Sequence, residues 1–176
     1  LANARAGHTV EGASTITQQL VKNLFLTPDQ TLKRKAQEAR LAGDLERLLS
    51  KDEILDLYLN RIYLGAGAYG LDAAARTYFG KQPADLTLAE SAMLASFPKA
   101  PTRFANQVQT SKAKERQYYV LEQMVEAGFI SQAQSDEAKS QELIFAKATP
   151  DTFTGHALDY AVERVREVLP NPPADL

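Results

Sequence analysis

The sequence predicts an all-α fold, and three observations carry that reading. Apolar residues recur at helical spacing along nearly the whole chain, no run of alternating β-branched residues marks a strand, and capping pairs stand where helices would begin. At 176 residues the chain is long enough for one ordinary domain, or a domain with a short appendage, and too short for two large ones.

Ser14 or Thr15 caps a first helix, with Thr15 and Gln18 in capping-box spacing. Ile16, Leu20 and Leu24 then share one face, and Gln18, Gln19, Lys22 and Asn23 occupy the other. Thr27-Pro28-Asp29 ends this helix. A second runs from about Thr31 to Leu49, turning Leu32, Ala36, Leu45 and Leu48 or Leu49 inward and Arg34, Lys35 and Glu38 to its polar side. Ser50 and Glu53 form another capping box before Ile54, Leu55, Tyr58 and Leu59.

The glycines at 65, 67 and 70 predict a loop, and Asp72 to Phe79 a helix ended by Gly80. Thr87 with Glu90 caps an alanine-rich helix that stops before Pro98 and Pro101. From about Ser111 a charged amphipathic helix follows, with Val120, Leu121 and Met124 as its apolar stripe and Gly128 as its stop. Shorter helices are expected near 131–141 and 155–169, and the final PNPPADL reads as a linker.

Composition narrows the function. With 44% hydrophobic and 24% charged residues the chain is globular rather than disordered, collagen-like or disulfide-scaffolded. A net charge of -2 gives no global electrostatic reason to bind nucleic acid. The absence of cysteine removes thiol nucleophiles and cysteine-ligated zinc but does not fix the compartment. No stretch approaches the roughly 18 consecutive apolar residues of a membrane span. The start, LANARAGHTVEG, resembles neither a signal peptide nor a domain beginning, so the sequence reads as a piece of something longer.

The basic character is local. Residues 1–40 hold six basic and three acidic side chains, a net of +3, against fourteen and nineteen, a net of -5, in the remainder. A helical hairpin would bring Lys22 and Asn23 near Lys33, Arg34 and Lys35, around one anion such as a diphosphate. Glu38 lies on the helix positions next to Arg34 and Lys35, where the plainer reading is a solvated surface ion pair. Ser14, Thr17, Gln18 and Gln19 likewise read either as caps on an exposed polar face or as donors for sugar hydroxyls and amides.

Other features are read structurally. His8 and His156 lack ligand-spaced companions and are taken as surface residues. GAGAYG at 65–70 lacks the preceding strand and the Lys-Ser ending of a phosphate loop, and reads as a turn. Tyr58, Tyr63, Tyr69, Tyr78 and Phe79 read as core and rim packing. Lys99 is a cation in a rigid proline-flanked loop.

Five ordered segments carry a family resemblance: GASTITQQLVKN at 12–23, RKAQEA at 34–39, KDEILDLYLNRIYLG at 51–65, AAARTYFGK at 73–81 and SFPKAPTRF at 96–104. Together they resemble the peptidoglycan glycosyltransferases of glycosyltransferase family 51. The resemblance covers roughly residues 1–108 and implies a lysozyme-like glycosyltransferase domain, N-terminally incomplete. Residues 109–176, with VLEQMVEAGFIS and ALDYAVERVREVL, look like the helical segment leading to a transpeptidase domain in class A penicillin-binding proteins. The Ser-x-x-Lys nucleophile motif of such a domain is absent from this sequence.

The resemblance implies polymerisation of lipid II into β-1,4 glycan strands, with release of undecaprenyl diphosphate. By position, Glu38 matches the family's second functional glutamate, near the donor diphosphate, acting directly or through a divalent cation such as Mg or Mn. Lys22, Arg34 and Lys35 match donor-side cations. Ser14, Thr17, Gln18, Gln19 and Asn23 match the surface that contacts sugar and phosphate, and Lys99 matches the cation of the last motif. The implied partners are lipid II, the nascent glycan strand, the membrane surface and other cell-wall synthesis proteins, on the extracytoplasmic face of the bacterial cytoplasmic membrane.

The family's first motif, a Glu-Asp pair followed by spaced Phe, His and Gly, carries the catalytic base and is missing from this sequence. Glu11 and His8 do not stand in that pattern. The chain as given is therefore expected to bind better than it turns over. Two rivals remain: a lysozyme-like murein-cleaving enzyme, which the cations beside Glu38 disfavour, and a non-catalytic lipid-diphosphate binding or scaffold module.

Overall fold

The computed structural model describes residues 14–25 and 32–146, with 164, 167 and 168. Among these the chain forms α1 (Ile16–Phe25), α2 (Leu32–Leu48), α3 (Lys51–Arg61), α4 (Leu71–Phe79), α5 (Leu88–Ser96), α6 (Pro101–Asn106), α7 (Ser111–Glu126) and α8 (Gln132–Ser140). Short 3-10 turns stand at Pro83–Asp85 and Phe97–Lys99. The only extended pairing among the described residues is an isolated antiparallel bridge between Tyr63 and Tyr69, so the fold is all-α. The expected helix near 155–169 falls mainly outside the described residues, as do His8, Glu11, His156, the Thr27-Pro28-Asp29 break and the PNPPADL tail.

The chain divides into two compact units, Leu1–Tyr58 with Val162–Leu176, and Leu59–Ala161. In the first, α1 packs along α2. Thr15 N–H donates to Gln18 Oε1 at 3.2 Å and Gln18 N–H donates to Thr15 Oγ1 at 3.1 Å, which is the capping box read from the sequence. The buried face of α1 is Thr17, Leu20, Val21 and Leu24, an i, i+3, i+4, i+7 stripe.

Ile16 was expected on that stripe but is 44% exposed, because Thr17 and Val21 rotate the helix away from it. On α2 the inward residues are Arg34, Glu38, Ala42, Leu45 and the following Leu49; of the two leucines expected to share the inward role at this end Leu49 takes it and Leu48 faces solvent, as does Ala36, which was expected inside. The apolar and charged positions thus share one face. Ser50 and Glu53 cap α3 as expected, through Ser50 N–H to Glu53 Oε2 at 2.8 Å and Glu53 N–H to Ser50 Oγ at 3.3 Å. Ile54, Leu57 and Tyr58 are the buried residues of α3, while Leu55 is exposed.

The second unit begins with the glycine loop. Gly70 N–H donates to Ile62 O and Leu64 N–H to Ala68 O, at 2.8 and 2.9 Å, closing a tight turn across which the Tyr63 and Tyr69 rings meet at 4.8 Å. Gly65 has φ +88 and lies where a Cβ would sit 2.5 Å from Pro101 O, so this position needs glycine on both grounds. Tyr78 OH donates to Leu64 O at 2.9 Å and holds the loop to α4.

Helix α5 packs along α7. Its Ala89 and Ala92 are small enough for close approach to Leu121, and Ala138 of α8 completes the cluster. Thr87 and Glu90 form the expected capping box on α5. Pro101, read as a stop, instead opens α6, since proline at the first helical position lacks only an N–H that would have no partner there.

Candidate active site

Helix α2 places Arg34, Lys35 and Glu38 one turn apart on adjoining positions. The surface-pair expectation does not hold: the Glu38 side chain is 1% exposed and Arg34 10%, while Lys35 stays half exposed at 51%. Arg34 Nε lies 3.1 Å from Glu38 Oε1 in an ionic contact, and Lys35 Nζ pairs with Glu38 Oε2. A carboxylate this deep is tolerable only with opposite charge at hand. The cluster carries one more positive than negative charge, which suits it to an anion.

Lys35 joins α1 to this cluster by donating to Ser14 Oγ at 3.4 Å. Ser14 is also held through its carbonyl, which accepts from Gln19 Nε2 at 3.4 Å. The other end of the Gln19 amide accepts a hydrogen bond from Tyr58 OH at 3.2 Å. Burial pushes the Tyr58 phenol above its ordinary pKa, so it remains a donor across the neutral range. The sequence alone marks Tyr58 only as packing. Its role as the group that orients Gln19 was invisible in sequence because 39 residues separate the pair.

The remaining sequence-derived positions distribute as follows. Gln18 is engaged in the α1 cap, and Lys22 and Asn23 lie on the solvent side of α1. Thr17 is 6% exposed and faces inward with Leu20, rather than standing in the exposed polar row. With Thr15, Ile16, Leu49, Ile54 and Leu55 it lines a mainly apolar groove of about 660 Å³. Lys99 belongs to the second unit, exposed at the end of the Phe97–Lys99 turn. The second unit also holds a part-buried bidentate pair that the sequence does not reveal, Lys81 Nζ at 2.7 and 2.9 Å from the two oxygens of Glu90.

Among the described residues no group of three or more His, Cys, Asp or Glu could hold a metal ion, and none of their helices is long and apolar enough to cross a membrane. The first unit thus defines a helical domain in which one buried carboxylate is gripped by two cations and bordered by hydroxyl and amide groups. The net positive charge of this cluster makes it electrostatically complementary to an anionic group.

The Transglycosylase family model matches residues 1–125, and the chain belongs to that family. Penicillin-binding protein 1A of Aquifex aeolicus is 48% identical over 159 residues, covering 90% of this chain and 22% of that protein. Penicillin-binding protein 1A of Escherichia coli K12 is 45% identical over 166 residues, covering 94% of this chain and 19% of that one. A crystal structure of penicillin-binding protein 1A from Haemophilus influenzae aligns with a TM-score of 0.48 at 31% identity, over 90% of this chain and 20% of the other. The chain spans about a fifth of the length of these relatives.

Proposed function

We propose that this domain is the diphosphate-handling part of a peptidoglycan glycosyltransferase that polymerises lipid II. The acceptor 4-hydroxyl attacks the anomeric carbon of the growing glycan, the bond from that carbon to undecaprenyl diphosphate breaks, and the electron pair leaves with the diphosphate. The new linkage is β-1,4, with inversion. The observation that carries this reading is the buried Glu38 held between Arg34 and the half-exposed Lys35.

Arg34 and Lys35 stabilise the negative charge that grows on the departing diphosphate, a contribution made chiefly in the transition state. Lys22, on the solvent side of α1, adds a further donor-side cation, and Lys99 a cation for the last motif. Ser14, Thr17, Gln18, Gln19 and Asn23 supply the polar surface for sugar and phosphate groups. Glu38 fixes the two cations of α2. A divalent cation, Mg²⁺ or Mn²⁺, would have Glu38 as its protein ligand here and would supply further positive charge for the departing diphosphate. The setting is the extracytoplasmic membrane surface, where lipid II and the nascent strand meet.

The base that takes the hydroxyl proton belongs to the family's first motif, which this sequence lacks. A general base of this kind contributes about 10²–10⁴ in rate, which is the difference expected between a stretch without that motif and one that carries it. The test compares glycan formation from lipid II by this chain and by the natural protein extended upstream of Leu1. Polymer from the extended form alone supports the proposal. Equal rates would remove the missing-base argument, and release of murein fragments in place of longer strands would replace a transferase by a hydrolase. In the extended form Glu38→Gln should lower the rate while leaving the helical content intact.

A further inference from the structure

The second unit contains a recess unrelated to the charge cluster of α2. It has a volume of about 620 Å³ and is walled by α5, the 108–110 turn, α7 and residues 140–145. That size falls within the usual range for small-molecule sites, about 300–1,000 Å³. Its floor carries an unusual residue. Gln117 occupies a core position of α7, 1% exposed, and its Nε2 donates to Ala89 O at 2.8 Å. That bond fixes the amide plane, and among the described residues no donor is bonded to Gln117 Oε1. Because the Gln117 side chain lines the recess, its Oε1 is available there to accept a hydrogen bond from an occupant.

We propose that this recess binds a short peptide segment through its amide groups and its terminal charges. Gln117 Oε1 accepts from a peptide N–H. Gln109 and Gln141 on the rim each offer both a donor and an acceptor, which matches the paired C=O and N–H of a peptide unit. Lys114 and Glu142, of opposite sign on the same rim, suit a carboxylate and an ammonium respectively. Met93 and Leu143 provide apolar wall for small aliphatic side chains. An oligosaccharide fits less well. Phe145, the aromatic residue in the wall, already stacks on Phe79 at 5.4 Å, which occupies one face of its ring.

The experiment is amide-resolved NMR titration of the full chain with trialanine, trialanine amide and N,N′-diacetylchitobiose. Trialanine should bind with a dissociation constant on the order of 1 mM and shift resonances of the 108–117 and 140–145 segments. Lys114→Ala, a change at an exposed residue, should weaken trialanine about tenfold and leave the amide, which lacks the carboxylate, unaffected. Gln117→Leu should abolish both. Gln117→Glu keeps an acceptor but loses the Ala89 bond, and should retain partial binding if the variant stays folded. Preference for the disaccharide would overturn the peptide assignment. No shift from any of the three ligands would overturn the site and leave a water-filled recess. Because Glu38 plays no part, loss of transferase activity has no bearing on this outcome.

Discussion

Arg34→Met and Lys35→Met change the same carboxylate's surroundings by one cation each, yet their effects on stability should differ sharply. Arg34 is nine-tenths buried, so its removal deprives Glu38, 1% exposed, of its interior partner. Breaking such a pair from one side costs about 3–5 kcal/mol. Lys35 is 51% exposed and its ammonium already shares solvent, so losing it falls near the surface-pair range of about 0–1 kcal/mol. Taking a urea slope of about 2 kcal/mol per molar, Arg34→Met should lower the midpoint by about 2 M, and Lys35→Met by less than about 0.5 M.

The double variant Arg34→Met, Glu38→Leu removes both charges and should recover most of the loss, since apolar replacement of a buried pair is often neutral or stabilising. Far-UV circular dichroism of the full chain in urea reads all three. Equal midpoints for the two single variants would refute the argument. So would a double variant no more stable than Arg34→Met alone. Recovery of stability without activity would mean that the pair is kept for function rather than for folding.

Gly65→Ala should destabilise by more than about 2 kcal/mol, combining an unfavourable φ with overpacking, whereas Gly67→Ala, with open space around it, should cost only about 1 kcal/mol. Thermal unfolding of the pair separates steric from conformational cost. Leu121→Ala opens a cavity in the α5, α7 and α8 cluster and should cost about 2–5 kcal/mol, read from the denaturant midpoint. Burial pushes the Glu90 carboxyl up, but the Lys81 ammonium and the Thr87 N–H and hydroxyl outweigh it and hold the pKa below its ordinary 4.5. The stabilisation is therefore complete above that value and is lost as pH falls through the folded-state pKa. Glu90→Gln should flatten this acid limb of the stability curve, and an unchanged limb would dissociate the ion pair from acid unfolding.

Local chemistry was the legible part of the fold. Thr15 with Gln18, Ser50 with Glu53, and Thr87 with Glu90 announced helix starts because each pair satisfies backbone groups within three residues of itself. Facing was less legible. Ile16 and Val21 are equally apolar, and only the packing of α1 on α2 decides that Val21 is inside. The spacing of Arg34, Lys35 and Glu38 shows that they meet but not in what medium, since burial of Arg34 and Glu38 depends on what surrounds α2. Long-range bonds such as Tyr58 to Gln19 and Gln117 to Ala89 left no periodic trace. In hindsight Gln117 did carry a signal, a polar residue four positions before Leu121 on the stripe that faces α5.

The unequal exposure of Arg34 and Lys35 divides their labour. Dehydrating the guanidinium beside Glu38 is completed when the chain folds, so its field is already set when a ligand arrives and needs no rearrangement at that moment. The ammonium keeps half its surface in water and two alternative anchors, Glu38 and the Ser14 hydroxyl. It can swing toward an incoming oxyanion while the carboxylate it leaves remains neutralised from within. One charge is fixed and the other is tethered, so under the proposed function only the tethered one has to shift when an anion binds.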